Sequence, residues 1–392
     1  MNKSIFFAAV LLLTVSLGGC TKKAPVLQID FSTKPLSVLN KADLDDIYNK
    51  TAEYGVTPTA EFDPFAMPSV ANCFETVEIP GTIICVFNSR KTMNEVLLRA
   101  SYYTETYSGI YLTNEEFFST EPLSAKTFAN GKPAEGLDRN DIEITRGNTD
   151  KYEGIRGFDI PGKAHSNDGK GFNDFLDKWS EDKTVCTSKD PKMQAYFDME
   201  RQFLNFVQDL RKKYNGNYTL ISAVSNQYFI PTFSHEMLHS QYFNFPDFAK
   251  NVDEYVEQQT DTKEFKLFVN FARRYYPEME TDIGLRNNEF LTFMLASGMY
   301  EDGKVRWAPL VASMLRHLVP PCDSTAEYEK FFDEIYALWE NGWQTEEEWS
   351  ELIKKSMEIQ AQYPSLPQSI DVSQSKFYKY LEERGTSPVI IK

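Results

Sequence analysis

The chain has 392 residues, a net charge of −16 and an aromatic content of 14%, with 29 Phe and 21 Tyr. That charge argues against a nucleic-acid binder, which needs basic surface to meet phosphates, and disfavours adsorption on anionic lipid headgroups. The aromatic content excludes a disordered chain, and the length suffices for one large core or two.

Lys3 precedes an almost wholly apolar run, Ile5 to Leu17, that is too short for a stable membrane-spanning anchor. It reads as the apolar core of an export signal occupying residues 1–19. Leu17-Gly18-Gly19-Cys20 resembles the bacterial lipobox. The resemblance implies that Cys20 is acylated and that the membrane is a partner through a lipid anchor, each buried methylene adding about 0.8 kcal/mol. Thr21, rather than Asp, after that cysteine implies transport to the outer membrane, so an exported cell-envelope lipoprotein is expected. Residues 20–35 read as anchor and tether, and no later segment is apolar enough to span a membrane.

Beyond Cys20, the cysteines are Cys73, Cys85, Cys186 and Cys322, an even set that allows two disulfides in an exported chain. Cys73 and Cys85 flank a hairpin-like run that turns at Pro80-Gly81, which favours their pairing and leaves Cys186 with Cys322. No Cys-x-x-Cys spacing occurs, so a cysteine zinc site is not expected.

Residues 36–185 read as a mixed α/β part. Thr76–Ile79 and Thr82–Phe87 are expected strands, Met93–Tyr103 a helix, and Gly109–Leu112 a short strand. The Gly, Asp and Asn content of residues 128–175 predicts long surface loops. His165-Ser166-Asn167-Asp168-Gly169 lacks the spacing of a calcium loop and reads as a turn.

Residues 186–392 read as mainly helical. Helical spacing runs through Gln194–Tyr214, and Asn215-Gly216-Asn217 stops it. Tyr218–Val224 is β-branched and aromatic, an expected strand. Helices are then expected around His235, over Val252–Tyr275, Leu285–Tyr300, Val305–Leu318, Ala326–Asn341 and Glu346–Gln362. The fold class is therefore α+β: a β-containing N-terminal part followed by a mainly helical part.

The chemistry lies in His235-Glu236-Met237-Leu238-His239. One helical turn separates the two histidines, so both imidazoles share a face and can reach one metal ion. Glu236 lies beside that direction, placed to take a proton from water. The chain has only four His, so the spacing carries weight.

This pattern resembles the zincin metallopeptidases. The resemblance implies Zn2+ bound by His235 and His239, with Glu236 as general base in the hydrolysis of a peptide or protein substrate. Tyr242 and Phe245 stand where the metzincin branch has Gly and a third His, which excludes that branch and leaves the gluzincin-like one, with a carboxylate as third ligand. Glu289 is favoured, because Asn288-Glu289 resembles the pair opening the ligand helix of many gluzincins and its charge lies in an otherwise apolar helix. Glu257 and Glu254 remain alternatives, although their segment reads as a solvated acidic face. Phe293 occupies a place that is acidic in some gluzincins, so the group orienting the first His must come from elsewhere. Tyr300, His317 and Arg306 are possible oxyanion donors, each explained as readily by packing or surface position. The strand at Tyr218–Val224 is expected to line the cleft as a zincin edge strand does. Two other classes stay open: a zincin-like lipoprotein that binds without turnover, and a zinc amidase acting on peptidoglycan.

Overall fold

A computed structural model of the chain describes residues 28–34, 70–76, 79–87, 90–101, 103–104, 111–118, 157–163, 170–184, 191–224, 229–274, 276–296, 325–365 and 372–390. The export signal, Cys20, Cys186, Cys322 and His165 lie outside them. So do the segment Val305–Leu318, Tyr300 and Arg306. Most of the described residues are helical, and one sheet runs among them, an α+β composition.

The strands are β1 (Gln28–Lys34), β2 (Val70–Thr76), β3 (Thr82–Phe87), β4 (Gly157–Pro161) and β5 (Thr219–Val224). Their lateral order is β1-β2-β3-β5-β4. β1 runs parallel to β2 and β3 parallel to β5, whereas the β2–β3 and β5–β4 pairs are antiparallel. Cys73 lies directly across from Cys85 and is disulfide-bonded to it, with Cα atoms 4.1 Å apart.

Several sequence expectations change here: the strand expected over Thr76–Ile79 is instead β2, Val70–Thr76. β1 falls inside the stretch read as tether, although Ile29, Phe31 and Thr33 alternate with polar residues as a strand requires. β4 and the helix Phe172–Glu181 fall inside residues 128–175, read as loops. β5 is an interior strand, hydrogen-bonded on both sides, so it cannot be the edge that lines a cleft. Among the described residues the edges are β1 and β4, and β4 is the one that packs against the helix Phe229–Asn244. The sheet also crosses the expected boundary at residue 186, because β5 is inserted between β3 and β4.

Both faces of the sheet are covered, and the period of two shows how. Ile83, Cys85 and Phe87 of β3, Phe158 and Ile160 of β4, and Leu220 of β5 point into one core. That core is closed by α1 (Arg90–Ser101), α2 (Asn114–Phe118), α3 (Phe172–Glu181) and α4 (Pro191–Lys213). Gly109–Leu112 was an expected strand, but residues 111–113 form none. Within the core, Arg99 is almost wholly buried. Its Nε and Nη2 donate to the two Glu200 carboxylate oxygens at 2.8 and 2.7 Å, and its Nη1 donates to Leu112 O at 3.2 Å.

Ile84, Val86, Ile221 and Ala223 point the other way, onto Phe233 and Met237 of α5 (Phe229–Asn244). Hydrogen bonds fix α5 on the sheet. Thr82 Oγ1 donates to Ser240 Oγ at 3.2 Å and accepts from Asn244 Nδ2 at 3.0 Å, while Thr219 Oγ1 donates to Asn244 Oδ1 at 2.8 Å. Buried groups of this kind need such partners, since leaving one unsatisfied costs about 1–3 kcal/mol.

Beyond α5 lies a helical body: α6 (Pro246–Glu257), α7 (Lys263–Ala272), α8 (Ile283–Leu295), α9 (Thr325–Trp339), α10 (Glu346–Gln360) and α11 (Lys376–Glu383). The single helix expected over Val252–Tyr275 is two. The polar run Gln258–Thr262 turns the chain, and Thr262 caps α7 by accepting from Phe265 N. Asp282 caps α8 in the same way, accepting from Leu285 N. No helix among the described residues is long and apolar enough to cross a membrane.

Candidate metal centre

α5 is buried along most of its length, so its polar side chains face other elements rather than water. Phe233 and Met237 meet the sheet. One helical turn then aligns His235 and His239, whose Nε2 atoms lie 3.0 Å apart. The expected pair of imidazoles is therefore brought together.

α8 supplies the carboxylate. Asn287 to Leu295 are all buried, and Glu289 sits among them with a side chain only 5% exposed. Its Oε2 lies 3.7 Å from His235 Nε2 and its Oε1 3.6 Å from His239 Nε2. Four ligands at about 2.0–2.1 Å in a tetrahedron stand about 3.3 Å apart, and these three side chains offer one donor atom each within 4.8 Å of one another, which fits a zinc ion. Burial, followed by the charge on His239, pushes His235 well below the usual imidazole range. Its lone pair is thus available at neutral pH. The His235 side chain keeps 20% exposure against 3% for His239, so the cluster opens on the His235 side.

Asp253 accounts for the crossing of the two helices. It accepts from Tyr242 Oη of α5 at 2.6 Å and from Asn287 Nδ2 of α8 at 2.9 Å. The acidic segment of α6 therefore turns one residue inward and leaves the others outside. Glu257 is 73% exposed, 4.0 Å from Arg286, and Glu254 pairs with Lys250 on the surface. Neither reaches the histidines, and Arg286 turns to Glu257 and the Phe265 ring. Phe293 meets His235 edge-on at 5.5 Å between ring centres, an apolar wall in the place where an acidic residue was sought.

Two residues that the sequence did not single out complete the cluster. Asp159 of β4 points to the α5 side of the sheet, with Oδ2 3.9 Å from His239 Nδ1. Donor atoms of Asp159, Glu236 and His239 all lie within 4.8 Å of one another. Burial holds the Asp159 carboxyl above the usual carboxylate range, against the smaller opposing pull of hydrogen bonds with its own backbone and with Glu236. Beside them, Gly157 brings the strand's backbone against the base. A Cβ there would overlap Glu236 Oε1, and would lie 2.6 Å from Thr232 Cγ2 and 2.8 Å from Ser222 O.

Tyr276 is the second. Its hydroxyl hydrogen-bonds with Glu289. Burial first, and then the charges of Glu289, Glu236 and Asp159, hold it well above the usual phenol range. It stays a protonated donor. Nothing in the sequence distinguishes it from the other tyrosines, whereas Phe158 and Ile160 flanking Asp159 were a readable alternation.

Comparison with protein-family models, with curated proteins and with solved structures yields no match.

Proposed function

We propose that this chain is a zinc-dependent peptidase, and that it works at the cell envelope, held to a membrane by acylation of Cys20. The observation that carries the reading is the convergence of three side chains from two helices: the Nε2 atoms of His235 and His239 lie 3.0 Å apart, and the two Glu289 carboxylate oxygens lie 3.7 Å from the first and 3.6 Å from the second. A zinc ion held by these three supplies Lewis acidity to water and to a substrate carbonyl.

The chain's own residues do the rest. Glu236, next to the histidines but not among the three donors, accepts a proton from the attacking water and returns it to the leaving amine. Tyr276, a half-buried phenol that stays protonated, donates to the Glu289 carboxylate and steadies that ligand. The outer edge of β4 offers backbone N–H and C=O groups to an extended peptide. That role belonged to β5 in the sequence reading and moves to its neighbour.

The test is turnover of a peptide library by the mature chain loaded with one equivalent of zinc. Glu236→Gln keeps the shape of the side chain but cannot accept the proton. It is expected to lower kcat by about 100- to 10,000-fold while zinc stays bound. Turnover unchanged in that variant would overturn the assignment of Glu236, and no turnover in the native chain would overturn the peptidase reading.

A further inference from the structure

A histidine that binds metal through Nε2 carries its proton on Nδ1, and a buried N–H needs an acceptor. His239 is turned this way, with Nε2 toward Glu289 and His235. Its Nδ1 is buried and, among the described residues, has no partner at hydrogen-bond distance. The nearest carboxylate oxygen is Oδ2 of Asp159, 3.9 Å away. Strand register fixes that placement. Asp159 lies across from Ile221, on the same side of the sheet as Phe233 and Met237 of α5. Asp253, the other inward-turned acid near α5, already accepts from Tyr242 and Asn287. A shift of about 1 Å in the Asp159 carboxyl brings it to His239 Nδ1.

We propose, on the metal-centre reading above, that Asp159 is a positioning residue: it accepts the Nδ1–H of His239, fixes that ring's tautomer and aims its Nε2 at the metal. The edge strand thereby holds the second ligand, and its Asp159 carboxyl also lies within 4.8 Å of Glu236, the base. Here the orienting group comes from β4, and Phe293 fills the place in α8.

The experiment is zinc titration against a competing chelator, using the full mature chain, its Asp159→Ala and Asp159→Asn variants, and Glu289→Ala as reference. Asp159→Ala is expected to weaken zinc binding by about 10- to 100-fold. Asp159→Asn is expected to restore most of that loss, because its amide oxygen accepts the same proton. Melting of the metal-free variants should stay within a few degrees of the native chain, which separates positioning from a folding role. Native zinc affinity in both Asp159 variants, with Glu289→Ala impaired, overturns the proposal and leaves the metal centre standing. So does failure of Asn to rescue. A second zinc equivalent in the native chain that vanishes in Asp159→Ala makes Asp159 a ligand and overturns it too. No zinc bound by the native chain removes the centre and this proposal together.

Discussion

The sheet separates two buried charged clusters that are built on opposite principles. On one face Arg99 meets Glu200 with two parallel N–H···O bonds, a third bond goes to Leu112 O, and Tyr111, Phe117 and Phe175 surround the guanidinium at 5.5–5.6 Å. Donors match acceptors there. On the other face two imidazole nitrogens and the two oxygens of one carboxylate, all acceptors toward one another unless a proton intervenes, meet at 3.0–3.7 Å. A cluster of converging lone pairs is a poor structural device and a good metal site. On the proposed reading, the difference separates a buried charge that holds the fold from one that serves chemistry.

The largest expected effects test that separation directly. Arg99→Met leaves Glu200 in an apolar core without its charge partner. It should cost about 3–5 kcal/mol of stability in denaturant unfolding, with the folded fraction binding zinc as the native chain does. Glu289→Ala should do the reverse. Zinc affinity should fall by more than the roughly 10- to 100-fold typical of an outer partner, while metal-free stability changes by less than about 1 kcal/mol. If Glu289→Ala destabilises the metal-free chain as much as Arg99→Met does, the two clusters are alike and both are structural.

Next in size is Gly157→Ala. The added methyl meets Glu236 Oε1, Thr232 Cγ2 and the Ser222 carbonyl, so either β4 withdraws or the base is displaced. Overpacking of this kind costs about 1–3 kcal/mol. Hydrolysis should fall more steeply than zinc affinity, since Glu236 is disturbed and His235 and Glu289 are not. Equal losses in both would mean that the strand moves as a whole.

The half of the candidate metal site carried by helices was legible because its information is local. His235 and His239 are one turn apart in a scarce residue type, and Glu289 is the lone acid in an apolar helix that also holds Asn288. The β half was not. β4 is five residues long, starts at a glycine, ends at a proline and lies in Gly- and Asp-rich surroundings, so composition outweighed the alternation of Phe158 and Ile160. Lateral order is a property of the whole sheet, which is why β5 could be read as a strand but not as an interior one. The break between α6 and α7 was written in Thr262, whose capping role shows only once the polar run before it is recognised as a turn.

The smallest expected effect concerns a polar residue of α5 that lies on neither cluster. Gln241 is buried two positions beyond His239, so it points about 200° round the helix from the metal ligands. Its amide grips the C-terminal tail as a backbone would. Nε2 donates to Val389 O at 2.9 Å, and Oε1 accepts from Val389 N at 2.8 Å. Val389 in turn packs against the apolar patch that Phe233 and Met237 share with the sheet. The tail is therefore a clip across the metal helix, and the clip is structural. Gln241→Ala removes two hydrogen bonds in a partly buried setting, each worth about 0.5–1.5 kcal/mol net. A stability loss of about 1–2 kcal/mol is expected, with zinc affinity unchanged within about twofold because the ligand face of α5 is untouched. If zinc affinity falls with stability, the tail sets the rotation of α5 and the side chains opposite the metal belong to the site after all.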